Sequence, residues 1–207
     1  PVADGLDLAT HSEAAFEASG DFYDAFEIGD DDPSIGVVVC DVAGKGVASA
    51  LIMSATRAAL RAEAQGTPSP ADVLARVNNT LASSVPKGLF VTIFYGVYEP
   101  ATRLLRYSSA GHPHPLRGST GRHEVVELES YGLPLGLVAD SVYEDRVVEL
   151  EPGDFVLVYT DGLVEALDAG REMYGFDAVR ERLAGFAASV PAADELLQHS
   201  LSGMRDF

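Results

Sequence analysis

Three aspartates stand where an apolar run meets a glycine-bearing turn. Asp41 follows Ile35-Gly36-Val37-Val38-Val39-Cys40 and precedes Val42-Ala43-Gly44-Lys45-Gly46. Asp161 sits in Thr160-Asp161-Gly162 after the run Phe155 to Tyr159, and Asp21 opens a hairpin within Ser19-Gly20-Asp21-Phe22-Tyr23-Asp24. Carboxylate oxygens at strand ends, without an accompanying Cys or His cluster, are the donors that hard cations such as Mg²⁺ and Mn²⁺ prefer. Strand alternation sends Asp21 and Asp24 to opposite faces, so one of the two can face a shared site. The stretch around Asp41 also reads as an ordinary strand-to-helix turn capped by an aspartate, and the residues alone leave both readings open.

Other chemistries find little support. His11, His112, His114, His123 and His199 show no metal-ligand spacing, and His112-Pro113-His114 reads as a structural turn. No Gly-x-Ser-x-Gly elbow, Gly-x-x-x-x-Gly-Lys-Ser/Thr loop or Gly-x-Gly-x-x-Gly fingerprint is present, and Gly44-Lys45-Gly46 alone is too little for a phosphate loop. Fourteen Lys and Arg against 32 Asp and Glu give a formal charge of −18, which repels nucleic acids and anionic lipid surfaces. Neither nucleic-acid binding nor membrane insertion is expected, since no stretch reaches the roughly 18 apolar residues that cross a bilayer. The lone cysteine, Cys40, reads as a core residue and suits a reducing, cytoplasmic setting. The abrupt start at Pro1-Val2 and stop at Arg205-Asp206-Phe207 suggest a domain cut from a longer protein.

The elements that must position these residues follow from period and punctuation. Tyr23 to Ile28 and Ile35 to Cys40 form a hairpin across Gly29-Asp30-Asp31-Asp32-Pro33-Ser34. Val47, Ala50, Leu51, Ser54, Ala55, Ala58 and Ala59 recur at helical spacing to about Ala64, and the helix is expected to pack them into the core. Ser69-Pro70 supplies the cap and first-turn proline of a second helix carrying Val73, Leu74, Val77 and Leu81. Strands are expected over Phe90 to Tyr98, Arg103 to Ser109, Val125 to Leu128, Val142 to Leu150 and Phe155 to Tyr159. Helical spacing resumes at Phe176, Val179, Leu183 and Phe186, and again over Ala192 to Met204. Strands and helices come in blocks, which predicts an α+β domain of antiparallel sheets covered by helices.

Six segments, in order, carry a resemblance: Ser19 to Asp24, Cys40 to Gly46, Phe90 to Gly96, Ser109-Ala110-Gly111-His112-Pro113, Gly132-Leu133-Pro134-Leu135-Gly136, and Pro152-Gly153-Asp154 leading to Tyr159-Thr160-Asp161-Gly162. Together they resemble the motif set of the bacterial metal-dependent (PPM) protein phosphatases, in the SpoIIE and RsbU-like branch. The resemblance implies a four-layer α-β-β-α sandwich of two antiparallel sheets flanked by helices. It also implies two divalent cations, Mn²⁺ or Mg²⁺, with Asp21, Asp41 and the carbonyl of Val42 as ligands and Asp161 on the other ion. Two such ions activate a water for attack on phosphorus, so no protein nucleophile is needed.

The activity implied is phosphoserine/phosphothreonine hydrolysis on a phosphorylated anti-sigma-factor antagonist. A sensor or regulator domain would lie elsewhere in the parent chain. The contrasting expectation is a catalytically silent phosphatase-like module that binds a phosphoprotein. Two departures stand out. Val42-Ala43-Gly44 occupies the turn where many eukaryotic relatives carry a histidine, leaving the general acid unassigned, with water the default. Residues 1–207 are also expected to lack the closing strand that the family introduces with Asp-Asp-x-Thr.

Overall fold

The computed structural model describes residues 6–12, 20–29, 34–44, 46–86, 88–119, 124–168, 170–186 and 192–207. In chain order the elements are β1 (Phe22–Ile28), β2 (Ser34–Val42), α1 (Val47–Ala64), α2 (Pro70–Ala82), β3 (Val91–Glu99), β4 (Leu104–Ala110), β5 (Leu116–Ser119), β6 (Glu124–Glu127), β7 (Arg146–Glu149), β8 (Asp154–Leu157), α3 (Asp161–Val164), α4 (Phe176–Phe186) and α5 (Ala193–Asp206). They fall into a larger unit, Ser12–His112 with Ser130–Glu149, and a smaller one, Pro1–His11 with Pro113–Glu129 and Leu150–Phe207.

In the larger unit five antiparallel strands run in the order β1-β2-β3-β4-β7. Period-2 alternation sends Val38, Cys40, Val42, Ile93 and Tyr95 to one face, where Ile52 and Leu60 of α1 and Val73, Leu74 and Val77 of α2 join them in one core. Each fully buried Val, Leu or Ile side chain contributes roughly 1.5–3 kcal/mol of transfer free energy. Helix α2 starts where sequence placed it: the Ser69 hydroxyl accepts the Asp72 amide at 3.1 Å, and Pro70 occupies the first turn. Asp145 adds a second cap by accepting the Ala71 amide at 2.8 Å.

The smaller unit holds the antiparallel sheet β6-β5-β8. Helices α4 and α5 bury Val179, Leu183 and Leu196 with Leu116 and Tyr159. Gly118 is required by close approach, since a Cβ there would come 2.0 Å from Cζ of Phe155, its partner across the sheet. Arg117 binds the Asp154 carboxylate at 2.5 Å, and that side chain is only 2% exposed. Two antiparallel sheets, each flanked by helices, are the architecture expected from sequence.

Several local expectations are corrected. The strand expected over Val142 to Leu150 shortens to β7, because the segment before it is anchored otherwise: the Tyr143 hydroxyl donates to the Leu133 carbonyl at 3.0 Å, and Asp145 caps α2. The strand expected over Phe155 to Tyr159 ends at Leu157. Strand β5 and helix α3 were not anticipated. Helix α1 has the expected span but buries another face, Ser49, Ile52, Thr56, Leu60 and Ala64, leaving Val47 and Leu51 exposed. The turn residues 30–33 of the first hairpin lie outside the described residues.

Candidate metal site

The antiparallel register of β1 and β2 sets Phe22 opposite Cys40. One step further along both chains brings Asp21 opposite Asp41, so the two carboxylates emerge on the same face of neighbouring strands. Both are partly exposed. Cys40, between Asp41 and the core, points the other way and is fully buried. Its thiol is pushed well above the ordinary range, first by burial and then by the negative charges of Asp41 and Asp21, a sign of how near both carboxylates stand.

Asp24 belongs to the opposite face. Its carboxylate receives Arg61 through Nε at 2.6 Å and Nη2 at 2.7 Å, and Arg57 through Nε at 3.0 Å and Nη2 at 3.3 Å. Arg61 also lies 4.7 Å from the centre of the Phe26 ring. Burial raises the pKa of Asp24, but the two guanidiniums outweigh it and hold the carboxyl below its ordinary value. Of the two alternatives the sequence left open, Asp21 therefore stands beside Asp41, and Asp24 ties β1 to α1.

Val42, 1% exposed, ends β2 opposite Val91. Its carbonyl faces Gly20 so closely that a Cβ at Gly20 would come 2.7 Å from the oxygen. The space beside this carbonyl is a cradle that any side chain at position 20 would fill. Beyond it Gly44, at φ 106°, takes a left-handed turn with no room for a Cβ, which would meet Leu89 at 2.9 Å. Ser19 and Lys45 of the same motifs lie outside the described residues.

Asp161 belongs to the smaller unit. It is exposed and opens the four-residue helix α3, where its carbonyl accepts the Glu165 amide at 2.8 Å. Three residues, Val158 to Thr160, separate it from the end of β8. It is therefore a loop-borne carboxylate, not the strand-end residue read from sequence.

Among the described residues no group of three or more His, Cys, Asp and Glu comes together as a ready cation cage. Asp21, Asp41 and the Val42 carbonyl nevertheless offer only oxygen donors. Two carboxylates and a carbonyl, completed by water, fit a hard divalent ion such as Mg²⁺, which ordinarily keeps several waters. The histidines supply no such set. His11 is exposed, His114 lies 3.2 Å from Glu127, and His123 falls outside the described residues. Burial and the nearby Arg182 charge lower the pKa of His199. Sequence reasoning gave Thr92 no role and read His112 as part of a structural turn. Thr92 is opposite Asp41 in the sheet, and its hydroxyl lies 3.1 Å from Nδ1 of His112, which is 4% exposed.

Known proteins give this geometry a setting. The family described as Stage II sporulation protein E (SpoIIE) matches residues 31–207. Phosphoserine phosphatase RsbU of Bacillus subtilis (strain 168) is 32% identical over 165 residues, covering 80% of this chain and 48% of that protein. Among solved structures, the RsbU and RsbW domains of Rv1364c from Mycobacterium tuberculosis superpose with a TM-score of 0.77 at 29% identity, over 93% of this chain and 53% of that one. The SiaA-PP2C domain of Pseudomonas aeruginosa gives the same TM-score at 23% identity, over 91% of this chain and 74% of that one. The chain thus spans about half the length of RsbU and of the Rv1364c chain. No helix among the described residues is long and apolar enough to cross a membrane.

Proposed function

We propose, for a chain that belongs to the stage II sporulation protein E (SpoIIE) family, that it is a metal-dependent protein phosphatase hydrolysing phosphoserine or phosphothreonine. The observation that supports this reading is the alignment of Asp21 with Asp41 by the β1–β2 register, with the Val42 carbonyl next along β2, all oxygen donors of the kind a hard cation takes. Asp21, Asp41 and Val42 would hold one divalent ion, Mn²⁺ or Mg²⁺, and Asp161 would serve a second. When bound, such ions supply Lewis acidity, lowering the pKa of water and neutralising charge on phosphoryl oxygens.

The chain's own residues fix the donors and withhold competing chemistry. Cys40 is buried with its thiol kept protonated, so it offers no thiolate nucleophile. Water is left to attack phosphorus, breaking the bond to the serine oxygen and releasing serine and inorganic phosphate. No side chain of Val42-Ala43-Gly44 carries a proton to give, so the general acid stays unassigned, with water the default. The relative RsbU bears the name phosphoserine phosphatase. For this chain the proposed substrate is a phosphorylated anti-sigma-factor antagonist-like protein, with regulation from a sensor domain in the parent protein and a cytoplasmic setting.

A second reading is a silent phosphatase-like module that binds a phosphoprotein without turnover. Asp161, exposed on a single helical turn and not held in a strand, is the observation on its side. Hydrolysis of a phosphoserine peptide with and without Mn²⁺, by this chain, Asp41→Ala and Asp161→Ala, separates the two. Activity that requires Mn²⁺ and falls in both variants supports the enzyme. Peptide binding with no turnover at any Mn²⁺ concentration supports the silent module.

A further inference from the structure

We propose that His112 and Thr92 form a positioning relay that fixes the carboxylate of Asp41 for cation binding, an inference that rests on the phosphatase reading above. Three observations carry it. Thr92 is the direct cross-strand partner of Asp41, which brings the two side chains onto one face. The Thr92 hydroxyl lies 3.1 Å from His112 Nδ1. His112 is buried, and its backbone is pinned at the end of β4: its amide donates to Ser109 Oγ at 3.3 Å, that hydroxyl reaches the His112 carbonyl at 3.4 Å, and the Ser109 amide donates to Ser130 Oγ at 3.1 Å. Gly111 precedes it at φ 69°, where a Cβ would strike Pro134 at 2.6 Å, so the turn that delivers the imidazole is itself tightly packed.

The hydrogen count gives the relay its direction. A threonine hydroxyl has one proton and two lone pairs. A hydroxyl that donates its proton to the Asp41 carboxylate must accept from His112, which then carries its proton on Nδ1. The imidazole thereby orients the hydroxyl, and the hydroxyl orients the carboxylate, leaving the other carboxylate oxygen for the cation. Partners of this kind, one bond removed from a ligand, typically change metal affinity or activity by about 10–100-fold when removed. His112 touches no substrate in this scheme. It is a positioning residue acting through Thr92.

The test is calorimetric titration of the full chain with Mn²⁺ alone, alongside phosphoserine-peptide kinetics over a range of Mn²⁺ concentrations. Thr92→Val, which keeps the shape and removes the hydroxyl, is expected to weaken Mn²⁺ binding by about 10–100-fold. Its kcat at saturating Mn²⁺ and its KM for the peptide should stay near the parent values. Thr92→Ser should restore Mn²⁺ affinity. His112→Asn, which can still donate near the Nδ1 position, should outperform His112→Ala, and His112→Ala combined with Thr92→Val should bind no more weakly than Thr92→Val alone. Thermal melts identify any variant that fails to fold. If His112→Ala is one, the Thr92→Val and Thr92→Ser pair decides. Unchanged Mn²⁺ affinity in folded Thr92→Val, with Asp41→Asn deficient, overturns the relay and leaves the phosphatase reading standing. A parent chain that neither binds Mn²⁺ nor hydrolyses the peptide overturns both.

Discussion

Asp41 and Asp161 look alike in sequence, each an aspartate after an apolar run and close to a glycine, yet the two units treat them differently. Asp41 is the penultimate residue of a nine-residue strand, hydrogen-bonded between β1 and β3, with Thr92 opposite it on one side and Asp21 aligned on the other. Asp161 lies beyond a four-residue strand, exposed, at the start of a single helical turn with no side-chain cap. One carboxylate is held by a sheet. The other rests on a short segment whose own backbone bonds are local, such as Glu165 N–H to the Asp161 carbonyl and Gly175 N–H to the Val164 carbonyl. A donor fixed before the ion arrives loses little freedom on binding it, whereas a loop-borne donor must be ordered at that moment.

The contrast predicts unequal losses. Asp41→Ala should lower kcat/KM for a phosphoserine peptide on the order of 10³-fold, about 4 kcal/mol, and excess Mn²⁺ should not restore it. Asp161→Ala should cost less, about 30-fold or roughly 2 kcal/mol, with partial recovery as Mn²⁺ is raised, because the lost donor contributed affinity more than architecture. Steady-state rates across a Mn²⁺ series measure both. Equal losses in the two variants, with neither recovering, would break the distinction between a sheet-held and a loop-held ligand.

A smaller change sharpens the same point from the backbone. Gly20→Ala leaves every carboxylate in place but puts a methyl group 2.7 Å from the Val42 carbonyl oxygen. Either the carbonyl or the approach to Asp21 must shift. Mn²⁺ affinity is expected to fall by about tenfold, roughly 1.4 kcal/mol, and the thermal melt to drop as well, because the atom displaced is backbone of the core residue Val42. An affinity equal to the parent's would mean that the carbonyl contributes nothing to cation binding.

The same contrast explains what could be read from sequence. Helix α2 was legible because its signals are local: Ser69, Pro70 and the spacing of Val73, Leu74, Val77 and Leu81 sit within one segment. Helix α1 was legible as a helix but not in its buried face, since Val47, Leu51 and its alanines spread apolar residues beyond a single stripe and packing selects Ile52, Thr56 and Leu60. Strand β5 escaped notice because Leu116-Arg117-Gly118-Ser119 has no β-branched or aromatic residue, and its glycine matters only once Phe155 lies against it. In the site, the hairpin and its alternation brought Asp41 and one of Asp21 and Asp24 together, and only the family resemblance named Asp21 and Asp41 as ligands. The place of Asp24 was not legible, because the arginines that claim it lie 33 and 37 residues away, and neither was the Thr92–His112 contact, 20 residues apart.

Asp24 supplies the smallest effect, and it tests whether the helix-facing carboxylate of β1 is structural while its neighbour Asp21 binds the cation. Asp24→Asn keeps the shape and removes the charge that Arg57 and Arg61 share. Both arginines are about half exposed and can turn to water, so the cost is discounted to about 1 kcal/mol at pH 7. The pH dependence gives the sign. The folded-state pKa of Asp24 lies below its ordinary 3.8, because the bonds to Arg61 and Arg57 outweigh the opposing effect of burial. Its stabilisation is therefore complete above the ordinary value and disappears as pH falls through the lowered one. Urea melts should show the parent ahead of Asp24→Asn by the full margin at pH 7 and the gap closing below about pH 4. Mn²⁺ affinity in Asp24→Asn should match the parent. A large loss of Mn²⁺ binding there, with the fold intact, would place Asp24 in the site and dissolve the division of labour between the two faces of β1.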